Sequence, residues 1–294
     1  MKKDKPIIAL IYDFDYTLCD QDMQNYTFIP NLQMTPSEFW GELGDWSKEE
    51  NIEGILAYLY YMVKKSDEKG IPITKEYLRS MGKDVKFYPG VKDWFERINK
   101  FGEENGAIIE HYIVSSGVKD IIESTKIAKH FKSVFACDFY YDDDGRAVWP
   151  KIAINFTGKT QYLYKIRKGI FDDTDATEVN KKYKEKRIPF RNMIYIGDGL
   201  TDVPCMTMLK KEGGKSIGIY IPENMERVQQ FLLDDRINYI CPANYRENSH
   251  LDKTVKLIIK SQIISHELLD LSEKQVQIAE STLIVPTCKC AENK

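Results

Sequence analysis

Short aliphatic segments recur along the chain and alternate with stretches of helical spacing. Near-continuous apolar runs are typical of strands covered on both faces, as in parallel sheets. Between these runs, stretches such as residues 91–101 place their apolar side chains on one face of a helix. Strand and helix in alternation predict a doubly wound parallel α/β sheet. The predicted strands are Ile7–Tyr12, Ile108–Val114, Met193–Ile196, Ser216–Tyr220 and Asn238–Cys241.

Three segments depart from this alternation. Residues 19–88 have helical patterns without an aliphatic strand, which predicts a smaller helical cap domain inserted after the first strand. Residues 134–156 hold two runs of β-favouring residues around an Asp-Asp-Asp-Gly turn and predict a hairpin. Residues 246–294 predict a helical extension with a disordered tail. The remaining residues, 1–18 and 89–245, are expected to form the core domain.

Charge and hydropathy exclude several classes of protein. The 294 residues carry 42 Lys and Arg against 45 Asp and Glu, a formal net charge of −3, whereas nucleic-acid binders are usually basic. The chain lacks a run of about 18 apolar residues, which a membrane span needs. The apolar run Ile7–Ile11 is too short for a signal peptide and leads into acidic residues. We expect neither a nucleic-acid nor a membrane partner.

The cysteines favour a reducing compartment. Six are scattered along the chain, mostly among apolar residues, which suits buried thiols in a cytoplasmic protein. Cys288 and Cys290 form the one close pair, and two thiols are too few for a closed structural zinc site. A cytoplasmic location is therefore expected.

Two carboxylates follow the first predicted strand directly, in the stretch LIYDFDYTLC. Asp13 and Asp15 stand at i and i+2, so in extended chain they project to the same side. Two carboxylates this close repel unless a shared proton or a metal cation offsets the repulsion. Ligands of open α/β sheets bind outside the carboxyl ends of the strands. This context favours a functional pair over a helix cap and a turn residue.

A second acidic pair follows the strand in MIYIGDGLTD. Asp198 ends that strand between two glycines, and Asp202 comes four residues later, where one helical turn returns it to the same end. Four carboxylates at two strand ends form an oxygen-only site that suits Mg²⁺. Asp13, Asp15, Asp198 and Asp202 are therefore the candidate metal ligands.

Phosphate-binding groups are expected beside this metal site. Ser115, Ser116 and Gly117 follow the strand predicted at Ile108–Val114, and hydroxyl and N–H groups before a helix bind phosphate well. A cation is also needed to offset the charge of phosphate and carboxylates. Lys159 is our candidate, at the start of a predicted helix. Its competitors are Lys151, Lys165 and Lys168.

With these residues in place, the chain resembles the haloacid dehalogenase (HAD) superfamily of aspartyl-phosphate hydrolases. Residues 13–17, DFDYT, match its first motif, D-x-D-x-T, and residues 197–202, GDGLTD, match its fourth, G-D-x-x-x-D. Ser115 matches the second motif and Lys159 would supply the third. The helical insert is similar to a type-1 cap, and the hairpin before the lysine is similar to the phosphoserine-phosphatase branch. The resemblance implies a Rossmann-like core.

The resemblance also implies a mechanism. The protein would be a Mg²⁺-dependent phosphatase acting on a small phosphorylated metabolite, with Asp13 as nucleophile and Asp15 as general acid and base. Mg²⁺ would be held by the Asp13 carboxylate, the Asp15 main-chain carbonyl and Asp198, with Asp202 supporting them. The groups that would hold the transferring phosphoryl oxygens are Ser115 and Lys159.

Three alternatives differ from this hypothesis. A dehalogenase releases halide, which needs no proton, so Asp15 favours phosphate-ester chemistry. A phosphotransferase or phosphomutase would use the same four motifs and stays open. A non-catalytic binding protein on the same fold is the alternative from another class. The substrate, the oligomeric state and the role of residues 169–191 are not indicated by the sequence.

Overall fold

The structure is a computed structural model that describes residues 5–172, 180–181 and 186–283. Within these residues seven strands form one sheet in the order β4-β3-β2-β1-β5-β6-β7, all neighbours being parallel except the pair β3 and β4. The strands are β1 (Ile7–Tyr12), β2 (Ile108–Val118), β3 (Phe131–Tyr141), β4 (Ala147–Ile152), β5 (Met193–Gly197), β6 (Lys215–Tyr220) and β7 (Tyr239–Pro242).

Helices cover both faces of this sheet and fill the segment after β1. They are α1 (Phe28–Asn31), α2 (Pro36–Glu49), α3 (Gly54–Glu68), α4 (Lys75–Met81), α5 (Val91–Glu104), α6 (Lys119–Glu123), α7 (Gly158–Lys168), α8 (Val203–Lys211), α9 (Met225–Leu233) and α10 (His250–Leu283). Short 3₁₀ turns lie at Met23–Asn25, Gly82–Asp84, Ala128–His130 and Phe190–Asn192. In the part of the chain described here, none of these helices has the length and apolarity to cross a bilayer.

The predicted doubly wound parallel sheet is confirmed. Each predicted strand is present, and the hairpin around Asp142–Gly145 is formed by β3 and β4. One prediction is wrong: β2 does not end at Val114 but continues to Val118, where it pairs with Cys137 of β3. Residues 115–117 therefore lie in extended chain, and the helix expected directly after them begins only at Lys119.

Helices α1–α4 form the expected helical segment between β1 and α5. Local signals start them: Thr35 and Glu38 form a capping box at α2, and the Thr74 hydroxyl accepts a hydrogen bond from the Tyr77 N–H at α4. Phe39 is fully buried and contacts three aromatic rings edge-on, so aromatic packing contributes to the core of this segment. The hairpin joins this segment through the Ala147 N–H, which donates to the Ile73 carbonyl.

The first part of α10 packs against the core, as its spacing predicts. Its residues Leu251, Val255 and Ile259 are fully buried, whereas every residue from 271 to 281 is exposed. Four cysteines, at 19, 137, 205 and 241, are buried free thiols, in agreement with the expectation. The predicted tail with Cys288 and Cys290, and most of residues 169–185, lie outside the described residues. The domain limits stay a prediction.

A buried chain of polar groups fixes β1 and β2 to α5. The Trp94 indole N–H donates to the Tyr12 hydroxyl at 2.8 Å, and that hydroxyl lies 3.0 Å from His111 Nδ1. His111 Nε2 lies 3.0 Å from the Asn99 carbonyl oxygen. Because an amide oxygen only accepts, Nε2 carries the proton, and Nδ1 accepts from Tyr12. The neutral imidazole therefore satisfies both neighbours.

The wild type should lose stability at acidic pH because of His111, and replacing His111 with Gln should prevent this loss. Burial lowers the pKa of His111 from 6.5 to about 3, so between these values the unfolded chain binds a proton that the folded chain does not. The free energy of unfolding should therefore fall as the pH drops below 6.5. This one group contributes up to about 1.4 kcal/mol per pH unit. Urea unfolding at several pH values measures the slope.

The matched control is His250→Gln, which makes the same change at an exposed histidine. His250→Gln should keep the wild-type dependence of the free energy of unfolding on pH, whereas His111→Gln should weaken that dependence. A His111→Gln protein whose stability falls with pH as steeply as the wild type would contradict the assignment of this slope to His111.

Candidate active site

The chain turns sharply at the carboxyl end of β1 and presents two carboxylates there. The Asp13 N–H donates to the Ile196 carbonyl, which ties the start of this turn to β5. Tyr16 has a φ of 53°, a left-handed conformation that non-glycine residues rarely adopt. The next residues then fold back, and the Leu18 N–H donates to the Phe14 carbonyl at 2.8 Å. This turn brings Asp13 and Asp15 to the same cavity.

Asp13 is buried and already engaged by two donors. One oxygen accepts a hydrogen bond from the Phe14 N–H at 2.8 Å, and the other lies 2.9 Å from the Lys159 ammonium. Burial, followed by the charge of Asp202, raises the pKa of Asp13 to about 6, although Lys159 opposes the rise. Its carboxylate is thus less hydrated than a surface aspartate and is held in one orientation.

Lys159 lies at the start of α7 with its side chain fully buried. Its ammonium bridges Asp13 at 2.9 Å and Asp202 at 2.8 Å. Burial lowers the pKa of Lys159, but the two carboxylates outweigh burial and raise it above its ordinary value. The lysine is therefore charged, and it joins the ends of β1 and β5.

The three competing lysines lie elsewhere. Lys151 pairs with the Asp138 carboxylate on the hairpin. Lys165 donates to the Asp172 carbonyl, and Lys168 donates to the Lys181 carbonyl. Of these four candidates, only Lys159 is brought to Asp13.

Asp202 is a positioning group whose two oxygens are both occupied. One oxygen accepts from the Lys159 ammonium and from the Tyr195 hydroxyl, each at 2.8 Å. The other accepts from the N–H groups of Asp198 and Gly199, at 3.2 and 3.1 Å. Gly197 permits this approach, since a Cβ there would lie 2.4 Å from an Asp202 oxygen. Asp202 thus fixes the turn that carries Asp198.

Asp198 completes a cluster of buried carboxylates. One of its oxygens accepts a hydrogen bond from the Thr17 hydroxyl at 3.2 Å. The other lies 3.4 Å from the Arg227 guanidinium. Burial and the charges of Asp202 and Asp13 raise the pKa of Asp198 well above its usual range.

This cluster fits a hard divalent cation. Asp13, Asp198 and Asp202 can each direct one oxygen so that all three oxygens lie within 4.8 Å of one another. Three buried carboxylates around the buried Lys159 ammonium leave excess negative charge, which a Mg²⁺ ion would neutralise. The Asp15 side chain is not part of this group, and the role of its main-chain carbonyl as a ligand stays a prediction.

The Asp15 carboxyl faces the cap instead. One of its oxygens accepts a hydrogen bond from the Met23 N–H at 2.8 Å. Burial, followed by the charges of Asp22 and Asp13, raises the pKa of Asp15 well above its usual range. A carboxyl in this environment favours the protonated form and can donate a proton to a ligand in the cavity.

The segment 115–117 runs along the cavity in extended chain. The buried Ser115 hydroxyl accepts from the Gly117 N–H at 3.0 Å. The Ser116 hydroxyl donates to the Ile154 carbonyl at 2.6 Å, and Ser116 also lines the cavity, so its phosphate-binding role stays a prediction. A Cβ on Gly117 would lie 2.1 Å from the Met23 methyl group and 3.0 Å from Asp15, so a larger residue there would force the Met23 side chain to move.

A cavity of about 500 Å³ lies against part of this site, and the fully buried Lys159 and Asp202 are not among the residues that line it. Its floor holds Asp13, Asp15, Ser115 and Asp198 from the strand ends. Its roof comes from the segment between β1 and α5 and is mainly apolar; the roof residues include Trp40, Leu43, Ser47, Ile55 and Tyr58. The volume lies within the range of small-molecule sites.

Sequence reasoning missed three residues of this site. Tyr195 was detectable, since a polar-tipped aromatic residue sits inside the aliphatic strand before Asp198. Asp22 lines the cavity and accepts from the Tyr16 hydroxyl at 3.2 Å, but its sequence neighbours give no signal. Arg227 reaches Asp198 from α9, a contact over 29 positions that no local pattern records.

Replacing Lys159 with Met should destabilise the protein strongly. Two buried carboxylates, Asp13 and Asp202, would lose their shared cation, and breaking a buried ion pair costs about 3–5 kcal/mol. Urea unfolding in the presence of EDTA measures the loss of stability, because no divalent cation is then free to neutralise the two carboxylates. Lys151→Met is the control, because it removes a half-exposed ammonium that pairs with Asp138, and an exposed ion pair contributes only about 0–1 kcal/mol. Equal losses for both variants would refute the proposed electrostatic role of Lys159.

Known proteins resemble this chain in sequence and in fold. No family model matches the chain. An uncharacterised protein of Borreliella burgdorferi (strain ATCC 35210 / DSM 4680 / CIP 102532 / B31) is 29% identical over 278 residues, which cover 85% of this chain and 96% of that protein.

Solved structures share the fold at low sequence identity. A HAD family hydrolase from Salmonella enterica subsp. enterica serovar Typhi superposes with a TM-score of 0.55 at 16% identity, over 86% of this chain and 72% of that one. A substrate-bound phosphoserine phosphatase gives 0.54 at 16% identity, over 86% and 99% of the two chains. A probable phosphoserine phosphatase from Vibrio cholerae gives 0.52 at 12% identity, over 90% and 67%. The chain therefore has the fold of the HAD hydrolases, in the form found in phosphoserine phosphatases.

Proposed function

We propose that this protein is a Mg²⁺-dependent phosphatase that hydrolyses a small phosphomonoester through a phosphorylated Asp13. The observation that carries the proposal is the convergence of Asp13, Asp15, Lys159 and Asp198 at one edge of the sheet, beside a cavity of metabolite size. The likeness to solved phosphatases supports the same fold. The chemistry is argued from the residues of this chain.

Asp13 is the proposed nucleophile. An oxygen of its carboxylate attacks phosphorus, the new P–O bond forms, and the bond between phosphorus and the substrate oxygen breaks. This covalent step divides a difficult hydrolysis into two easier ones. Lys159 holds Asp13 in one orientation and, together with Ser115, offers donors to the equatorial phosphoryl oxygens, where negative charge accumulates.

Asp15 is the proposed general acid and base. In the first step its carboxyl gives a proton to the departing alkoxide of the substrate. In the second step the resulting carboxylate takes a proton from the water that attacks the phosphorylated Asp13, and inorganic phosphate leaves. The Met23 N–H fixes one Asp15 oxygen, so the carboxyl is oriented before the substrate enters.

The proposed cation site consists of the Asp13 carboxylate, the Asp15 main-chain carbonyl and the Asp198 carboxylate. When bound, Mg²⁺ supplies positive charge that offsets the repulsion between the phosphate and these carboxylates. Asp202 holds the Asp198 turn through its backbone N–H groups, so we assign it a positioning role. Ser116 supports the neighbouring strand and hairpin.

The cavity supports a substrate of metabolite size. Side chains from the segment between β1 and α5 line the cavity beside the strand ends, and its volume suits a ligand of metabolite size. The apolar residues Trp40, Leu43 and Ile55 in the roof favour a substrate with some apolar surface beside its phosphate.

Phosphate release from a panel of phosphorylated metabolites tests the proposal. The wild type should release phosphate with Mg²⁺ and lose this activity in EDTA, and Asp13→Asn should be inactive because an amide cannot serve as the nucleophile. Asp138→Asn is the matched control, since it changes a hairpin carboxylate that pairs with Lys151. Activity retained by Asp13→Asn would exclude the phosphorylated intermediate.

Two other outcomes would favour the alternatives. A rearranged phosphate ester that accumulates without free phosphate would indicate a phosphomutase. Metabolite binding without turnover, in a folded protein that binds Mg²⁺, would indicate a non-catalytic binding protein.

Asp15→Asn should separate the two steps. An aryl phosphate leaves without a proton, so this variant should still phosphorylate Asp13 but hydrolyse the intermediate about 10²–10⁴-fold more slowly. Intact-protein mass spectrometry should find a phosphorylated chain with Asp15→Asn and none with the double variant Asp13→Asn/Asp15→Asn. Full turnover by Asp15→Asn would contradict the acid–base role.

A further inference from the structure

The outer face of α10 carries an aliphatic stripe, interrupted by Ser261, that the described residues leave exposed. Leu257, Ile264, Leu268 and Leu271 are each between 53% and 68% exposed. The buried side of the same helix, with Leu251, Val255 and the residues that follow them at helical spacing, packs on the core. Exposed aliphatic surface of this extent marks an interaction site.

The stripe has the spacing of a coiled coil. Leu257, Ile264 and Leu271 recur every seven residues, and Leu268 lies four residues after Ile264 and three before Leu271. This 4-3 spacing keeps all of them on one face of a helix that pairs with another helix. Gln275 continues the stripe as a polar member, and such residues help to set the register of a pair.

The end of α10 also needs a partner for its own stability. Residues 271–281 are all exposed, so the core domain covers none of these side chains. Helices in proteins owe most of their stability to packing of an apolar face, and the core supplies no such packing to this segment. The helix nevertheless continues to Leu283.

The charges beside the stripe identify the partner as a second copy of this chain. Glu267 and Lys274 lie on the same flank, each one residue before a stripe position. If two copies pair antiparallel with Leu268 opposite Leu271, Glu267 of each copy faces Lys274 of the other. In a parallel pair, Glu267 would face the uncharged Ser272.

A membrane surface is disfavoured by the same charges. Helices that lie on anionic lipid are usually rich in Lys and Arg on their polar face. From residue 264 to residue 281 the helix carries a single Lys and four acidic residues, Glu267, Asp270, Glu273 and Glu280.

We infer that α10 joins two copies of the protein in an antiparallel helix pair centred on Leu268 and Leu271. The pair has two-fold symmetry, so each contact occurs twice. This dimer is independent of the proposed phosphatase activity, since the stripe lies outside the cavity beneath the cap.

Sedimentation equilibrium of the full chain over a range of concentrations tests the dimer. The wild type should dimerise, and Leu271→Lys should raise the dissociation constant more than tenfold because it buries a charge at the centre of the pair. Gln277→Lys adds the same charge on the opposite side of the helix and should leave the constant unchanged. Circular dichroism should report a folded protein for both variants, since both positions are exposed.

Charge exchange tests the antiparallel register. Glu267→Lys should raise the dissociation constant about tenfold, because two ion pairs become two repulsions. Combining Glu267→Lys with Lys274→Glu in the same chain should restore the wild-type value. A wild type that is monomeric throughout, a dimer that Leu271→Lys leaves unchanged, or a failure of the double variant to restore affinity would each overturn the inference.

Discussion

The buried bridge from Lys159 to Asp13 and Asp202 is the interaction on which the candidate site depends. It joins the carboxyl ends of β1 and β5 with one ammonium between two carboxylates. Without that ammonium, the carboxylates at these two strand ends would repel one another in a poorly hydrated space. The same contact orients Asp13 toward the cavity, so the arrangement that stabilises the sheet edge also prepares the proposed nucleophile.

Much of the fold and of the site could be predicted because local pattern and global fold agree there. Strands such as β1 and β5 are aliphatic almost throughout, so their ends were identifiable from the sequence, and the parallel-sheet rule then placed Asp13 and Asp198 together. Lys159 could be singled out since it begins a helix, although only the structure separates it from Lys165 and its other competitors.

The features that could not be predicted depend on contacts between distant residues. The aliphatic run ends at Val114, yet pairing with β3 carries β2 on to Val118. Arg227 reaches Asp198 only because α9 follows a neighbouring strand of the sheet. Hydrophobic periodicity describes which face of an element is buried, but it carries no information about which polar groups meet across elements.

The charge balance of the carboxylate cluster also bears on the order in which ligands bind. Asp13, Asp198 and Asp202 with Lys159 sum to two negative charges when all are ionised, and Arg227 is half exposed, so water screens its contribution. A phosphate dianion that arrives first meets net repulsion, whereas a divalent cation that arrives first brings the cluster close to neutrality. Under the proposed function, binding is therefore ordered, with the cation before the phosphate ester, and anionic inhibitors compete only for the cation-loaded protein.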